Sequence, residues 1–175
     1  MSAVKPRMAS QKFILVVDAG PLIALAIADL LGPAIQSFGN LLVPNAVLQE
    51  CVLNLSEPGA ASIRNAIQNL SITPIADTEI ANLDPAFALG LGSGEQAVLA
   101  YALQKNYVAL IDDKKAHLMA LRLGIATVRT GAVLLALKKA GHIASVKPAL
   151  QIWREHGYFL SDTVTNQLLM SAGEK

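Results

Sequence analysis

The 175-residue chain is 53% hydrophobic and 15% charged, with fourteen Lys plus Arg against thirteen Asp plus Glu and a formal net charge of +1. High aliphatic content with so little net charge excludes a disordered chain, and the length fits one domain with a sizeable core better than two. The single cysteine, Cys51, excludes an intramolecular disulfide and a cysteine-built zinc site, so a cytoplasmic setting is expected.

Residues 1–12 are polar and aperiodic and read as a flexible N-terminal arm ahead of one domain, 13–175. Lys5, Arg7 and Lys12 before FILVVDAGPLIALAIA imitate a secretory signal. Asp18 argues against it, at a cost of about 2.5–3.5 kcal/mol on membrane insertion, and Pro21 breaks the only stretch long enough to span. FILVV (13–17) is a continuous, β-branched apolar run ending at Asp18, the signature of a buried parallel strand. Pro21 to Leu31 follows as a helix with Pro in its first turn, stopped by Gly32 and Pro33.

LLVP (41–44) leads into a helix over 45–53, and Ser56 and Pro58 predict a further helix over 57–70. SITPI (71–75) is a short extended piece, followed by a linker ending in GLGSG. Ser93 and Gln96 have capping-box spacing and predict a helix from Gly94 to about Lys105. YVALI (107–111) is a second buried run, closed by Asp112 and Asp113. A helix over 114–123, the strand IATV (125–128) and a Thr130-capped helix over 131–140 come next. Helices over 145–156 and 161–171 follow and, with no strand to cover, read as a C-terminal appendage or an interaction element. Short apolar strands alternating with helices of about ten residues predict an α/β fold, a parallel sheet with helices on both faces.

The near-neutral charge is segregated. Residues 1–104 carry four basic and eight acidic side chains, and 105–175 carry ten and five. Within 105–154, nine basic residues face only Asp112 and Asp113. Such a stretch suits a polyanionic partner, though solvated helix faces produce the same count.

Ligands of open parallel sheets bind at the carboxyl ends of the strands. Asp18 ends the first strand and Asp112 with Asp113 ends the YVALI strand, while Glu95 opens a helix and Glu50 lies late in another. Glu57, Asp77, Glu79, Glu155, Asp162 and Glu174 occupy loops or first turns, where solvent and the helix dipole account for them. Asp18 can be explained as a cap, and one of Asp112 and Asp113 likewise, but not both. Should Asp18, Glu50, Glu95 and the Asp pair converge, they form an oxygen-only set suited to Mg²⁺ or Mn²⁺ rather than zinc. Such a site orients a phosphodiester and activates water, and cationic neighbours hold phosphates without reading sequence.

The order VVDAGPLI, VPNAVLQECV, GSGEQAVLAYA and ALIDDKKAHLMALRLGI resembles the PIN domain, the nuclease fold of the VapC toxins. The tail TGAVLLALKKAGHIASVKPALQIWREHGYFLSD resembles a bacterial and archaeal branch of these proteins. The resemblance implies a three-layer α/β/α domain and a Mg²⁺-dependent endoribonuclease with an acidic quartet. Matched residue by residue, the quartet is Asp18, Glu50, Glu95 and Asp113, with Asp112 auxiliary. Lys114, Lys115 and Arg129 are the candidate phosphate-holding residues. An RNA substrate, a small antitoxin protein and a homodimer are the expected partners. Ala19 stands where many relatives carry Ser or Thr, His117 where Arg is frequent, and Val128–Arg129 where Gly-Thr is common. These departures leave open a module that only binds RNA or protein. An aspartyl-phosphate phosphatase would want a second carboxylate at position 20, which is Gly20. His117, His142, His156 and Cys51 read as structural, and Trp153, Tyr158 and Phe159 as core or interface anchors.

Overall fold

The fold is that of a computed structural model, described over residues 14–53, 56–79 and 90–174. The N-terminal arm, Phe13 and most of the linker before GLGSG lie outside the described residues. Five strands, β1 (Leu15–Val17), β2 (Leu41–Pro44), β3 (Ile72–Ile75), β4 (Val108–Leu110) and β5 (Thr127–Val128), form one parallel sheet in the order β3-β2-β1-β4-β5. Register is continuous through β1, where Leu15 pairs with Leu41 on one side and Val108 on the other. β1 and β2 are buried along their whole length, which is why their sequences read as unbroken apolar runs.

The helices are α1 (Ala19–Ile27), α2 (Leu31–Phe38), α3 (Asn45–Val52), α4 (Ala60–Gln68), α5 (Ser93–Lys105), α6 (Lys114–Arg122), α7 (Thr130–Lys139), α8 (Lys147–Glu155) and α9 (Asp162–Ser171). α1 packs with α2, α3 and α4, and α5 packs with α6 and against β1, β2 and β4. The sheet is the middle layer of a three-layer α/β/α arrangement. No single helix among the described residues is long and apolar enough to cross a membrane.

The sequence pattern misplaces several boundaries. Gly32 and Pro33 do not stop α1; they lie in the first turn of α2. A proline there forfeits no hydrogen bond, because first-turn amides have no intrahelical acceptor. α1 ends earlier, at Ile27, where Asp29 takes φ +56° and the Leu30 amide bonds back to Leu25 O at 2.8 Å. α4 starts at Ala60 instead of residue 57, with Gly59 at φ +85° as its N-cap. A Cβ at Gly59 would also lie 3.1 Å from Ala26 Cβ, so that turn needs glycine both for its backbone and for its approach to α1. At α5 the expected Ser93–Gln96 box is displaced by one residue: Gly92 is the N-cap, and the Glu95 side chain accepts from its amide at 2.8 Å. Thr130 does not cap α7; Arg129 holds that position.

The C-terminal helices are not an appendage. Trp153 of α8 is 1% exposed, and its Nε1–H donates to Ala24 O of α1 at 2.7 Å. Val146, Ala149 and Leu168 are buried with it. With no strand left to cover, α8 instead fills an apolar face that α1 leaves open, and truncation of a buried Trp of this kind typically costs about 3–5 kcal/mol. Glu174 ties the chain end down, accepting from Lys138 Nζ at 2.6 Å, Ser145 Oγ at 2.6 Å and the Val146 amide at 2.9 Å.

Candidate active site

In the order β3-β2-β1-β4-β5, β1 leads to β2 and β3 on one side, and the chain then crosses to β4 on the other. Beyond the carboxyl ends of β1 and β4 such a reversal opens a crevice, because the flanking connections leave in opposite directions. The crevice here is a cleft of about 310 Å³ lined by Asp18, Ala19, Gly20, Pro21, Glu50, Gly92, Glu95, Asp112 and Asp113. It brings together all five expected carboxylates, and none of these lining residues is cationic.

Asp18 is 7% exposed. Its amide donates to Leu110 O at 3.1 Å, which locks the end of β1 to β4. It occupies the N-cap position of α1 yet makes no side-chain capping bond there, so capping does not explain it. Burial pushes its carboxyl from 3.8 up to about 7; the Ala19 amide opposes the rise, and the charges of Glu95, Glu50 and Asp112 add to it. The carboxylate is therefore buried among like charges.

Glu50 reaches the cleft from α3, and Glu95 from the first turn of α5. Their approach depends on Gly94, where a Cβ would lie 2.8 Å from Glu50 Oε1 and 3.1 Å from Val47 Cγ2. Glycine is thus what allows α5 to start against α3. Burial also raises the Glu95 carboxyl above its ordinary range; the Gly92 amide opposes this, Asp113 and Glu50 reinforce it, and Lys115 opposes it.

The adjacent aspartates do different work. Asp113 is the N-cap of α6, its Oδ1 accepting from the Ala116 amide at 2.8 Å. Asp112 turns to the other side. Its Oδ1 accepts from the Thr130 amide at 2.9 Å, and its Oδ2 from Thr130 Oγ1 at 2.6 Å and from the Tyr158 hydroxyl. Burial, with Asp112 alongside, holds the Tyr158 phenol well above its ordinary value, so it remains a protonated donor. Thr130 and Tyr158 are the partners that the sequence did not reveal. Nothing local marks them, since they lie 18 and 46 residues beyond Asp112.

Of the candidate phosphate-holding residues, Arg129 donates from Nη1 to Asp112 O at 2.6 Å, and Lys115 is close enough to Glu95 to oppose its rise. Both therefore neighbour acids of the cleft without lining it. Lys114 is exposed on the first turn of α6. His117 Nδ1 is 2.9 Å from Thr127 Oγ1, and His156 Nδ1 is 2.9 Å from Ile152 O, contacts that serve the fold. Cys51 is 3% exposed, and burial pushes its thiol up to about 12, with Glu50 and Asp18 adding to the rise; it is an inert packing residue.

Among the described residues no three of these acids close into a ready-made metal cage. The donor set nevertheless fits a hard cation: it is oxygen-only, it crowds like charges, and it holds one carboxylate whose proton affinity is raised by burial first and by those charges second. No curated protein matches the chain. A family model of the PIN domain does, over residues 14–174. Every residue of the cleft falls inside that match, and the chain belongs to the PIN domain family, whose members are generally nucleases.

Proposed function

We propose that this PIN-domain protein is a Mg²⁺-dependent endoribonuclease that hydrolyses RNA phosphodiester bonds in the acidic cleft. The observation that carries the reading is Asp18, buried at the switch point and pressed by Glu95, Glu50 and Asp112. Asp18, Glu95 and Asp113 would hold the cation, with Glu50 binding directly or through water and Asp112 contributing from its fixed position; Mn²⁺ suits the same set. When bound, Mg²⁺ supplies charge neutralisation at the phosphate oxygens and lowers the pKa of the attacking water. Lys115 and Arg129, with Lys114 farther out, hold flanking phosphates without reading bases.

As its biological setting we propose a VapC-like toxin held in check by a small antitoxin protein, acting in the cytoplasm as a homodimer. Leu118 and Leu121, 47% and 58% exposed on α6, offer apolar surface for self-association. Sedimentation showing only monomer at micromolar concentration would rule out the dimer.

The test is cleavage of a labelled RNA with and without EDTA, in the wild type and in Asp18→Asn and Asp113→Asn. Both variants should lose cleavage and keep the fold. Cleavage that survives EDTA, or full activity in either variant, overturns the mechanism. A second reading, a module that only binds RNA or protein, draws on the hydrogen bonds already occupying Asp112, Asp113 and Glu95. Calorimetric titration with Mg²⁺ separates the two, since retained RNA affinity without Mg²⁺ binding favours the binding module.

A further inference from the structure

Asp112 is held more tightly than any other acid of the cleft. An ionised carboxylate offers about four lone-pair sites. Thr130 Oγ1 and the Tyr158 hydroxyl take both on Oδ2, and the Thr130 amide takes one on Oδ1. One site remains, on Oδ1, so Asp112 can present a single oxygen to the cleft in one orientation.

Tyr158 is itself braced. Its ring meets Trp153 edge-on at 5.3 Å, and Trp153 is fixed to α1 through Ala24 O. On its other side lies Gly20, in the first turn of α1, where a Cβ would be 3.9 Å from Tyr158 Cε2. The C-terminal part of the chain thus reaches the cleft through one hydroxyl carried on a rigid base.

Resting on the reading of the cleft as a Mg²⁺ site, we infer that Tyr158 is a positioning residue that acts through Asp112. By occupying Oδ2 together with Thr130, it prevents Asp112 from chelating a cation with both oxygens and fixes the orientation in which Oδ1 meets it. Tyr158 itself touches neither substrate nor cation. Removing the hydroxyl frees one Oδ2 site and leaves the carboxylate held by Thr130 alone, so its orientation toward the cation loosens. The consequence falls on metal binding and turnover, and RNA affinity is unaffected.

Tyr158→Phe keeps the ring against Trp153 and removes only the donor. Loss of a hydrogen bond that orients a metal ligand typically costs about 10–100-fold in metal affinity or activity. The expected result is therefore a Mg²⁺ Kd, measured by calorimetry on the full chain, weakened by about tenfold or more. The kcat for RNA cleavage falls by a similar factor, while KM for RNA and the melting temperature stay near wild type. Phe159→Ala, at a neighbouring residue that is 77% exposed, is the control and should match wild type in all four readouts. A Tyr158→Phe protein with wild-type Mg²⁺ affinity and kcat overturns the inference, as does one that loses only thermal stability. If the wild type itself binds no Mg²⁺ and cleaves no RNA, the reading of the cleft fails and the inference falls with it.

Discussion

Asp18→Asn separates stability from chemistry. The carboxyl is pushed from 3.8 to about 7, chiefly by burial. Between those values the folded protein retains a proton that the unfolded chain has released, so stability falls as pH rises through that window. About three decades of proton affinity, at 1.36 kcal/mol each, put a ceiling of roughly 4 kcal/mol on what the ionised group costs above pH 7. Relaxation and water penetration reduce this to roughly 1–3 kcal/mol. Asparagine preserves the shape and an acceptor for the Ala19 amide but carries no charge. In EDTA near pH 8, Asp18→Asn should raise Tm by about 2–12 °C, at roughly 2–4 °C per kcal/mol for a domain of this size. Near pH 4 the wild-type group is already neutral in the folded state, and the gain should shrink to almost nothing.

Thermal unfolding followed by circular dichroism at several pH values reads this directly. Millimolar Mg²⁺ should raise the wild-type Tm and leave the variant close to its EDTA value, because ligand binding to the folded state stabilises it in proportion to occupancy. The same variant should be inactive on RNA. A variant less stable than wild type near pH 8, or a gain of equal size near pH 4 and pH 8, would refute the reasoning.

Gly94→Ala places a methyl group 2.8 Å from Glu50 Oε1, so a loss of roughly 1–3 kcal/mol is expected together with a fall in cleavage. Unchanged Tm and activity would show that α3 and α5 can separate freely. Trp153→Phe keeps an aromatic ring but leaves the Ala24 carbonyl without its donor, and urea unfolding should show a loss of about 1–3 kcal/mol. Glu174 is held down to about 2 by the hydrogen bond from Lys138 first and then by Ser145 and Val146. Because this value lies below the ordinary 4.5, its contribution is complete above pH 4.5 and lost as pH falls toward 2. Glu174→Gln should therefore melt lower than wild type near neutrality, with the gap closing in acid; a gap independent of pH excludes the ionic tie.

What the sequence made legible was whatever depends on local pattern. β1 and β4 show as unbroken apolar runs because both faces of a central parallel strand are covered, and Asp18 and Asp112 stand out because a charge that ends such a run has little solvent nearby. The errors came where one residue type serves two purposes. Gly32 and Pro33 terminate a helix and also suit the first turn of one, and only the tertiary path shows that a second helix begins there. Thr130 has the chemistry of a cap, but the Asp112 carboxylate is the stronger acceptor and takes its hydroxyl. Tyr158 was beyond reach for a different reason. Its partner lies 46 residues away, and its ring rests on Trp153, which anchors α8 on α1. The burial of Trp153 likewise turns the expected appendage into part of the core.

The acids of the cleft differ in how firmly hydrogen bonds orient them, and that difference bears on the proposed cation. Asp112 has three donors, Asp113 caps α6, and Glu95 accepts from Gly92, so each is already oriented. Asp18 is different: it is buried, lacks a capping bond, and has Glu95, Glu50 and Asp112 as its charged neighbours. The nearby cations do not relieve it, since Arg129 donates to the Asp112 main chain and Lys115 acts on Glu95. On the proposed reading, the cost of ionising one buried carboxylate, set by desolvation first and by repulsion second, is free energy that a divalent ion would recover on arrival, so binding and stability would be coupled most strongly through Asp18. The oriented acids contribute differently, by limiting how many oxygens can turn inward. Few fixed oxygens around one buried carboxylate suit Mg²⁺, which keeps several waters and takes one or two carboxylates directly, better than Ca²⁺, which needs six to eight oxygen ligands. If the cleft takes a cation as proposed, a preference for the smaller ion would come from hydrogen bonds made outside the metal's own shell, the Tyr158 bond among them.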